Sequence, residues 1–370
     1  MKSSTRSWNK ARRRASLQSA RSFRYPPVAI QAGIVAAAER LAKAVYGSAT
    51  EDGLGAENII GIGVGRKRIG KQTLPTLAIK VLVVKKSAPS RIASSCLIAP
   101  AFGGYLTDVV EVGEAVMTVG RGNRMYTEPV RPAPGGVCIG PEKEDRAGTL
   151  SCIVSRGDRP HLLTVEHILA PLNEHVAQSK KIVQPGEQRR MANRGGVLAT
   201  LAESSRAEYY GTKENALKNA PSSDWAVAEV HIDDVDPNIM GIGKIGGMKP
   251  VTHHTKGRLV RKSGGGSGTT QGTFGAHSMV GAIGYRDGYW IHLNNFVFIE
   301  RRGWHSRFVT DGDSGALVVT ADTNVPIGIV VARTRRGDAY VIPLESILTD
   351  AKASLVRARS DCHPPYLGGQ

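Results

Sequence analysis

The sequence predicts a mainly β protein in which a small α/β (α+β) module precedes a larger region of short strands. Three observations carry this. Glycine is abundant, at 43 of 370 residues, while aromatics make up only 5%, a balance that favours turn-rich β structure over helical bundles. After Gly136 short apolar runs alternate with Gly-rich turns, as in a closed or nearly closed β architecture. Before it, one stretch of helical period gives way to runs of strand period. No repeat of fixed period is found, and a chain of this length suggests two or three domains at roughly 100 to 200 residues each.

The N-terminal residues 1–27 are rich in Arg and Ser and contain no acid, a composition that buries no core and predicts a disordered tail. The same composition also resembles an organellar transit peptide within residues 1–25. A helix is predicted over 28–47, with Ile30, Ile34, Ala37, Ala38 and Leu41 on one face, Glu39, Arg40 and Lys43 elsewhere, and Gly47 marking its end. From Glu57 the period changes: IIGIGVGRKRI, a Gly-Lys turn and TLAIKVLVVKK make a hairpin, and TDVVEVGEAV adds another strand-like run. These define a module over 57–118. Residues 119–135, ending in RPAPGG, have the composition of a linker.

The strand-rich remainder divides in two. A first half, 136–237, holds TLSCIV, HLLTVEHIL and DWAVAEVHI; a second, 238–350, holds GRLVRK, GTFGAHSMV, YWIHLNNFVFIE, GALVVT, GIVVAR and AYVIPL. Residues 351–370 form a C-terminal tail.

Charge and cysteine content narrow the function classes. The net charge of +17 by itself points to an anionic partner. However, 8 of those charges (Lys2, Arg6, Lys10, Arg12, Arg13, Arg14, Arg21, Arg24) lie in the first 25 residues, leaving +9 over the rest. Nucleic acid is therefore the weaker reading of the charge. Cys96, Cys138, Cys152 and Cys362 show no CxxC spacing and are too sparse for a disulfide scaffold, so free thiols are expected. No apolar run of membrane-spanning length occurs, which predicts no membrane partner, and the basic N-terminus is not followed by an uncharged segment with a cleavage site. An intracellular, cytoplasmic location is the expectation.

No metal or cofactor is expected. His253 and His254 are adjacent rather than spaced as ligands, and GGGSG at 264–268 lacks the Lys-Ser/Thr of a phosphate loop, so it is taken as a turn.

One constellation does carry chemistry. Peptide hydrolysis by serine needs a hydroxyl made nucleophilic by a neutral imidazole, a carboxylate that fixes the imidazole tautomer, and N–H donors for the developing oxyanion. In Gly312-Asp313-Ser314-Gly315-Ala316 two glycines flank a serine just before the apolar ALVV. This permits a tight turn that aims the Gly312 and Ser314 amides inward. Taken alone, it is equally a polar turn before a strand. His167 ends the apolar strand HLLTV and begins HILA, a strand-to-helix corner; a lone histidine there is more often structural. Asp224 stands at the mouth of WAVAEV, where a capping role competes. Asp233, Asp234 and Asp236 cluster after that strand and suit a solvated loop better than a buried triad.

LLTVEHIL, DWAVAEV and GDSGALVV resemble the histidine, aspartate and serine motifs of chymotrypsin-like serine peptidases, in the order His167, Asp224, Ser314. The resemblance implies a two-barrel chymotrypsin-like domain with His167 and Asp224 on the first barrel, Ser314 on the second and the site in the cleft between them. NIIGIGVG, LAIKVLVVKK, TDVVEVGE, RPAPGGVCIG, AGTLSCIV, VRKSG with TTQGT, and GDSGALVV are further similar to trypsin-like proteins of bacteria and plants that resemble the plant Narrow Leaf protein. This covers residues 57–348.

Two positions depart from the pattern. Ile168 stands where many secreted relatives have a cysteine, which agrees with an intracellular protein. Glu166 replaces the usual small residue and is expected to point to solvent; a carboxylate reaching the imidazole would raise its basicity.

The resemblance also places Phe308, six residues before Ser314, at the base of the substrate pocket, which disfavours a basic side chain there. GIVVAR resembles the wall of that pocket, which places Val331 in the wall, and Arg333, followed by Arg335 and Arg336, is expected to line a rim that attracts an acidic residue. An exposed hairpin of basic side chains is the competing reading of those arginines.

The function expected is a serine endopeptidase acting on protein or peptide substrates through an acyl-enzyme. Its N-terminal module is expected to regulate it or assemble it, as in a homo-oligomer. The alternative is a non-catalytic scaffold whose basic tail and surface engage nucleic acid or another acidic partner.

Overall fold

The structure is a computed structural model that describes residues 28–47, 57–70, 72–117, 126, 128–144, 146–170, 180–186, 196–251, 257–285, 288–303 and 306–358. The N-terminal tail, Lys71 of the Gly-Lys turn, His253, His254 and Cys362 lie outside these residues.

Helix α1 (Val28–Gly47) buries Ile34, Ala37, Ala38, Leu41, Ala42 and Tyr46, a spacing that keeps one stripe apolar. The stripe packs on the hairpin of β1 (Ile59–Ile69) and β2 (Gln72–Val83), through Ile59, Ile62, Val64, Ile79, Val81 and Val83. Register pairs Ile69 with Gln72, so the connection is two residues long, and Gly70 takes the positive φ of 62° that such a turn demands. The chain then forms β3 (Ala101–Phe102), β4 (Tyr105–Glu111) and β5 (Ala115–Met117). The run expected as one strand, TDVVEVGEAV, is thus two. β4 lies parallel to β2, Ile79 opposite Thr107, whereas β5 leaves this group altogether.

The first strand-rich half contains β6 (Ala133–Gly135), β7 (Cys138–Pro141), β8 (Gly148–Thr149), β9 (Cys152–Arg156) and β10 (Arg159–Thr164). The single helical turn α2 (Glu166–Leu169) follows, then β11 (Lys181–Gln184), β12 (Gly196–Ser204), helix α3 (Lys213–Lys218), β13 (Ala226–Val230) and β14 (Val235–Ile239). Within RPAPGG, the end of the stretch with linker composition, β6 runs parallel to β14.

The second half holds β15 (Leu259–Gly264), β16 (Gly268–Gly284), β17 (Trp290–Arg301), β18 (Leu317–Thr320), β19 (Pro326–Thr334), β20 (Ala339–Pro343), helix α4 (Leu344–Asp350) and β21 (Ser354–Leu355).

Apart from β6 and β14, which pair with each other as a separate two-stranded sheet, these strands make two curled sheets. One has eight strands in the order β21-β9-β10-β13-β12-β11-β7-β8. In the other, β15, β18, β19, β20, β17 and β16 pair in that order, and β15 pairs again with β16, which closes six strands into a ring. β16 is long enough, at 17 residues, to do two things. Leu259 to Gly264 pair with its first part, and Ile62 to Gly65 of β1 pair with its second. The N-terminal strands therefore continue the same eleven-stranded sheet. Glycine is required where β1 crosses β16, because a Cβ on Gly63 would collide with Met279 and the backbone of His277.

His277, on β16, is 3% exposed, and burial pushes its pKa down to about 4. The unfolded chain takes up that proton near pH 6.5 and the folded chain only near 4, so stability present above 6.5 is lost as pH falls toward 4. The loss is on the order of 3 kcal/mol. Urea unfolding of the wild type and His277→Gln at pH 7 and pH 4 is expected to show the wild type losing that much more stability than the variant.

Candidate active site

His167, Asp224 and Ser314 are far apart in sequence and meet between the two sheets. His167 sits in α2, the one-turn helix at the end of β10. Asp224 stands two residues before β13, which pairs with β10 from Thr164 opposite Ala226 to His161 opposite Glu229. Their adjacency is therefore set by one antiparallel ladder. Asp224 accepts two hydrogen bonds from His167: the backbone N–H reaches Oδ1 at 3.1 Å, and ring Nδ1 lies 2.6 Å from Oδ2. Ring Nε2 lies 2.9 Å from Ser314 Oγ. With Nδ1 protonated toward the carboxylate, Nε2 presents its lone pair to the hydroxyl. All three residues have no exposed surface.

Ser314 lies in the turn before β18, between Gly312 (φ 91°) and Gly315 (φ 92°). Both glycines occupy the left-handed region that other residues enter only at a cost. A Cβ at Gly315 would also strike Thr149 and Thr164. The turn is tied on every side. Gly315 N–H donates to Val330 O at 2.8 Å, Ala316 N–H to Asp313 O at 2.9 Å, and Thr149 N–H to Ser314 O at 2.7 Å. Thr149 Oγ donates to Gly312 O at 2.8 Å, so the first sheet fastens the turn of the second. Gly312 and Ser314, the expected oxyanion donors, flank Asp313 in this turn.

Sequence reasoning left Asp313 without a role beyond the turn, and the structure supplies one. Its carboxylate is fully buried and pairs with the fully buried Lys262 of β15 at 2.9 Å. Gly266 N–H and Ser267 N–H donate to Oδ1 at 3.0 Å each, and Ser267 Oγ (2.6 Å) and Thr310 N–H (2.8 Å) donate to Oδ2. Burial lowers the Lys262 pKa and the Asp313 charge opposes that shift. The run at 264–268 is the β15–β16 connection, as expected for a turn, and its amides form the socket for Asp313. The sequence signal that could have pointed to this pair is Lys262 following Val260 in the strand GRLVRK, since a charge carried into a sheet needs a buried partner.

Glu166 departs from expectation. It is only 8% exposed rather than directed to solvent, because three donors hold it inside: Ser204 Oγ at 3.0 Å, Ser205 Oγ at 2.6 Å and Ala207 N–H at 2.8 Å. Desolvation raises its pKa, the three hydrogen bonds oppose this, and the charge of Asp224 adds to the rise. Tyr285 meets the His167 ring edge-on at 6.0 Å between centroids.

Phe308 is fully buried in an apolar cluster with Phe274, Ile299, Val309, Ala316 and Val330. Val331, also fully buried, has its carbonyl oxygen 3.5 Å from Ser314 Oγ. Arg333 Nε pairs with Asp311 at 2.9 Å, Arg335 with Glu114 at 2.6 Å and Arg336 with Glu111 at 2.7 Å. Each arginine of the expected rim is therefore engaged by an acid of the same chain. Cys96, Cys138 and Cys152 are not joined to one another by a disulfide. Among the described residues, no cluster of His, Cys, Asp and Glu is arranged to hold a metal ion, and no helix is long and apolar enough to cross a membrane.

No family model matches the chain, and no curated protein matches it. Solved structures similar to it include a glutamic acid-specific serine protease that uses a histidine triad in substrate binding. It is 17% identical, with 60% of this chain and 100% of that one covered and a TM-score of 0.40. A chymotrypsin of Cellulomonas bogoriensis is 17% identical over 61% of this chain and 99% of its own, with a TM-score of 0.38. Protease A of Thermobifida fusca is 15% identical over 61% and 100%, with a TM-score of 0.39.

Proposed function

We propose that the chain is a serine endopeptidase whose two curled sheets are the halves of a chymotrypsin-like domain. The observation that carries this reading is His167 bridging Asp224 at 2.6 Å and Ser314 at 2.9 Å. A polar turn, a structural histidine and a strand cap have no reason to form such a relay, and burying all three is costly unless each is hydrogen-bonded.

In the proposed reaction His167 Nε2 removes the hydroxyl proton as Ser314 Oγ attacks the scissile carbonyl. The Gly312 and Ser314 amides receive the oxyanion, and the protonated imidazole, stabilised by ionised Asp224, gives its proton to the departing amine. The acyl-enzyme is then hydrolysed by water that His167 activates in the same way. Lys262 and Asp313 act behind this chemistry by holding the turn that carries the amides. The resemblance to the Narrow Leaf-like proteins agrees with this reading, since GDSGALVV, VRKSG and AGTLSCIV all contribute residues to the site: Ser314 and Asp313, Lys262, and Thr149.

A small alkyl fluorophosphonate tests the reading, because it phosphonylates only a serine activated in this way. Intact mass and peptide mapping are expected to show one adduct, on Ser314, lost in Ser314→Ala. Folded protein that gains no adduct on Ser314, both as wild type and with the strand Ala115–Met117 loosened by Val116→Pro, refutes the proposal.

A further inference from the structure

β5 is a three-residue strand that belongs to neither neighbour in sequence. Its place is set by β19. Over Ile329, Gly328 and Pro326, β19 pairs with β18 on one side, and from Gly328 to Arg333 it pairs with β20 on the other. β18 ends at Leu317, but the chain still bonds β19 at Val330, whose N–H donates to Ala316 O at 3.0 Å and whose O accepts from Gly315 N–H at 2.8 Å, and it turns away only at Ser314. Beyond that point the edge vacated by β18 runs directly past the nucleophile, with Val331 O at 3.5 Å from Ser314 Oγ. β5 fills this edge, antiparallel, with Met117 opposite Ala332, Val116 opposite Arg333 and Ala115 opposite Thr334.

Three further features hold it there. Val116 also pairs with Gly284, next to Tyr285, whose ring meets that of His167. Met117 is 1% exposed, within the cluster that contains Val331, Ala332 and Tyr285. Glu111 and Glu114, just upstream, form the ion pairs with Arg336 and Arg335. Such partly exposed pairs are individually weak and are screened by salt.

An extended peptide adds to a sheet edge by main-chain hydrogen bonds, and a peptide presented to Ser314 needs the edge closest to it. We propose that Ala115–Met117 is an autoinhibitory strand: it occupies the edge of β19 that a substrate peptide requires, and activity follows its release. This rests on the peptidase reading of Ser314. With the strand docked, Ser314 and His167 have no exposed surface, and the apparent activity scales with the fraction of molecules in which the edge is open. The exposed arginine–glutamate pairs make that fraction responsive to salt, and a partner that binds residues 111–117 shifts it toward the active state.

Two variants test the proposal. Val116→Pro removes an amide from a residue paired on both sides. The double variant Glu111→Arg/Glu114→Arg turns both ion pairs repulsive and leaves the buried residues untouched. Hydrolysis of an internally quenched peptide mixture is expected to rise at least tenfold in Val116→Pro and several-fold in the charge-reversed protein. In parallel, a fluorescein-labelled peptide of residues 111–117, EVGEAVM, is expected to bind the opened variants and not the wild type, read by anisotropy. Folded variants, checked by circular dichroism, that hydrolyse no faster and bind the peptide no better than the wild type overturn the proposal. If Val116→Pro fails to fold, the charge-reversed protein decides by the same two readouts. Peptide binding confined to the opened variants, with every protein inert to the fluorophosphonate, leaves β5 as the occupant of the edge and refutes the peptidase reading instead.

Discussion

Asp224→Asn is expected to lower kcat by about 10⁴-fold while leaving the fold intact. Asp224 Oδ2 lies 2.6 Å from His167 Nδ1, and Oδ1 accepts the His167 backbone N–H. Asparagine fills the same space and keeps an acceptor for the backbone, but its amide nitrogen turned to Nδ1 favours the tautomer protonated on Nε2. That ring donates to Ser314 Oγ instead of receiving its proton. Ser314→Ala removes the proposed nucleophile and is expected to cost about as much as losing the whole relay. The three groups act as one unit, so Ser314→Ala/Asp224→Asn is expected to be no slower than Ser314→Ala alone. Steady-state hydrolysis of a common peptide by the three proteins decides this. Additive losses would mean that Asp224 acts other than through His167.

Lys262→Met is expected to destabilise the protein by about 3–5 kcal/mol, because it leaves the Asp313 carboxylate charged and buried without its cation. The pair is fully buried on both sides at 2.9 Å, so water cannot replace the ammonium. The hydrogen bonds to Asp313 from Gly266, Ser267 and Thr310 solvate the carboxylate partly. Adding Asp313→Asn removes the stranded charge, and the double variant is expected to recover part of the loss. Urea unfolding at pH 7 measures both effects. Because Asp313 lies between Gly312 and Ser314, fluorophosphonate labelling is expected to slow in Lys262→Met even in molecules that remain folded. Unchanged labelling would separate the ion pair from the catalytic turn.

Much of the architecture was legible because local chemistry and tertiary fold agree. The α1 stripe, the β1–β2 hairpin with its two-residue turn, and the strands TLSCIV, GALVVT and GIVVAR each bury the apolar residues that mark them. The short helices α3 and α4 and the strand β12 were not marked. β12 pairs between two strands yet has a burial pattern without strict alternation, and its exposed Val197 at 50% shows why no period of two announces it.

Glu166 shows a different limit. Its side chain type predicts solvent, and only the backbone path through 204–207 supplies the three donors that make burial tolerable. The docking of β5 had no sequence signal either. TDVVEVGEAV reads as one strand, and the break at Gly113 (φ 77°) sends its end to a partner more than 200 residues away.

The sequence by itself determined the mainly β class, the candidate residues His167, Asp224 and Ser314 and their order, because turn glycines, apolar periods and reactive side chains are properties of short segments. The tertiary structure decided what depends on distant strands meeting: the hydrogen bonds that join Asp224, His167 and Ser314, the Lys262–Asp313 pair behind the Ser314 turn, the continuation of the N-terminal strands into β16, and the occupant of the β19 edge. Hydrogen bonds and buried charges are satisfied by partners in space, and a single chain does not record which of its distant segments those partners are.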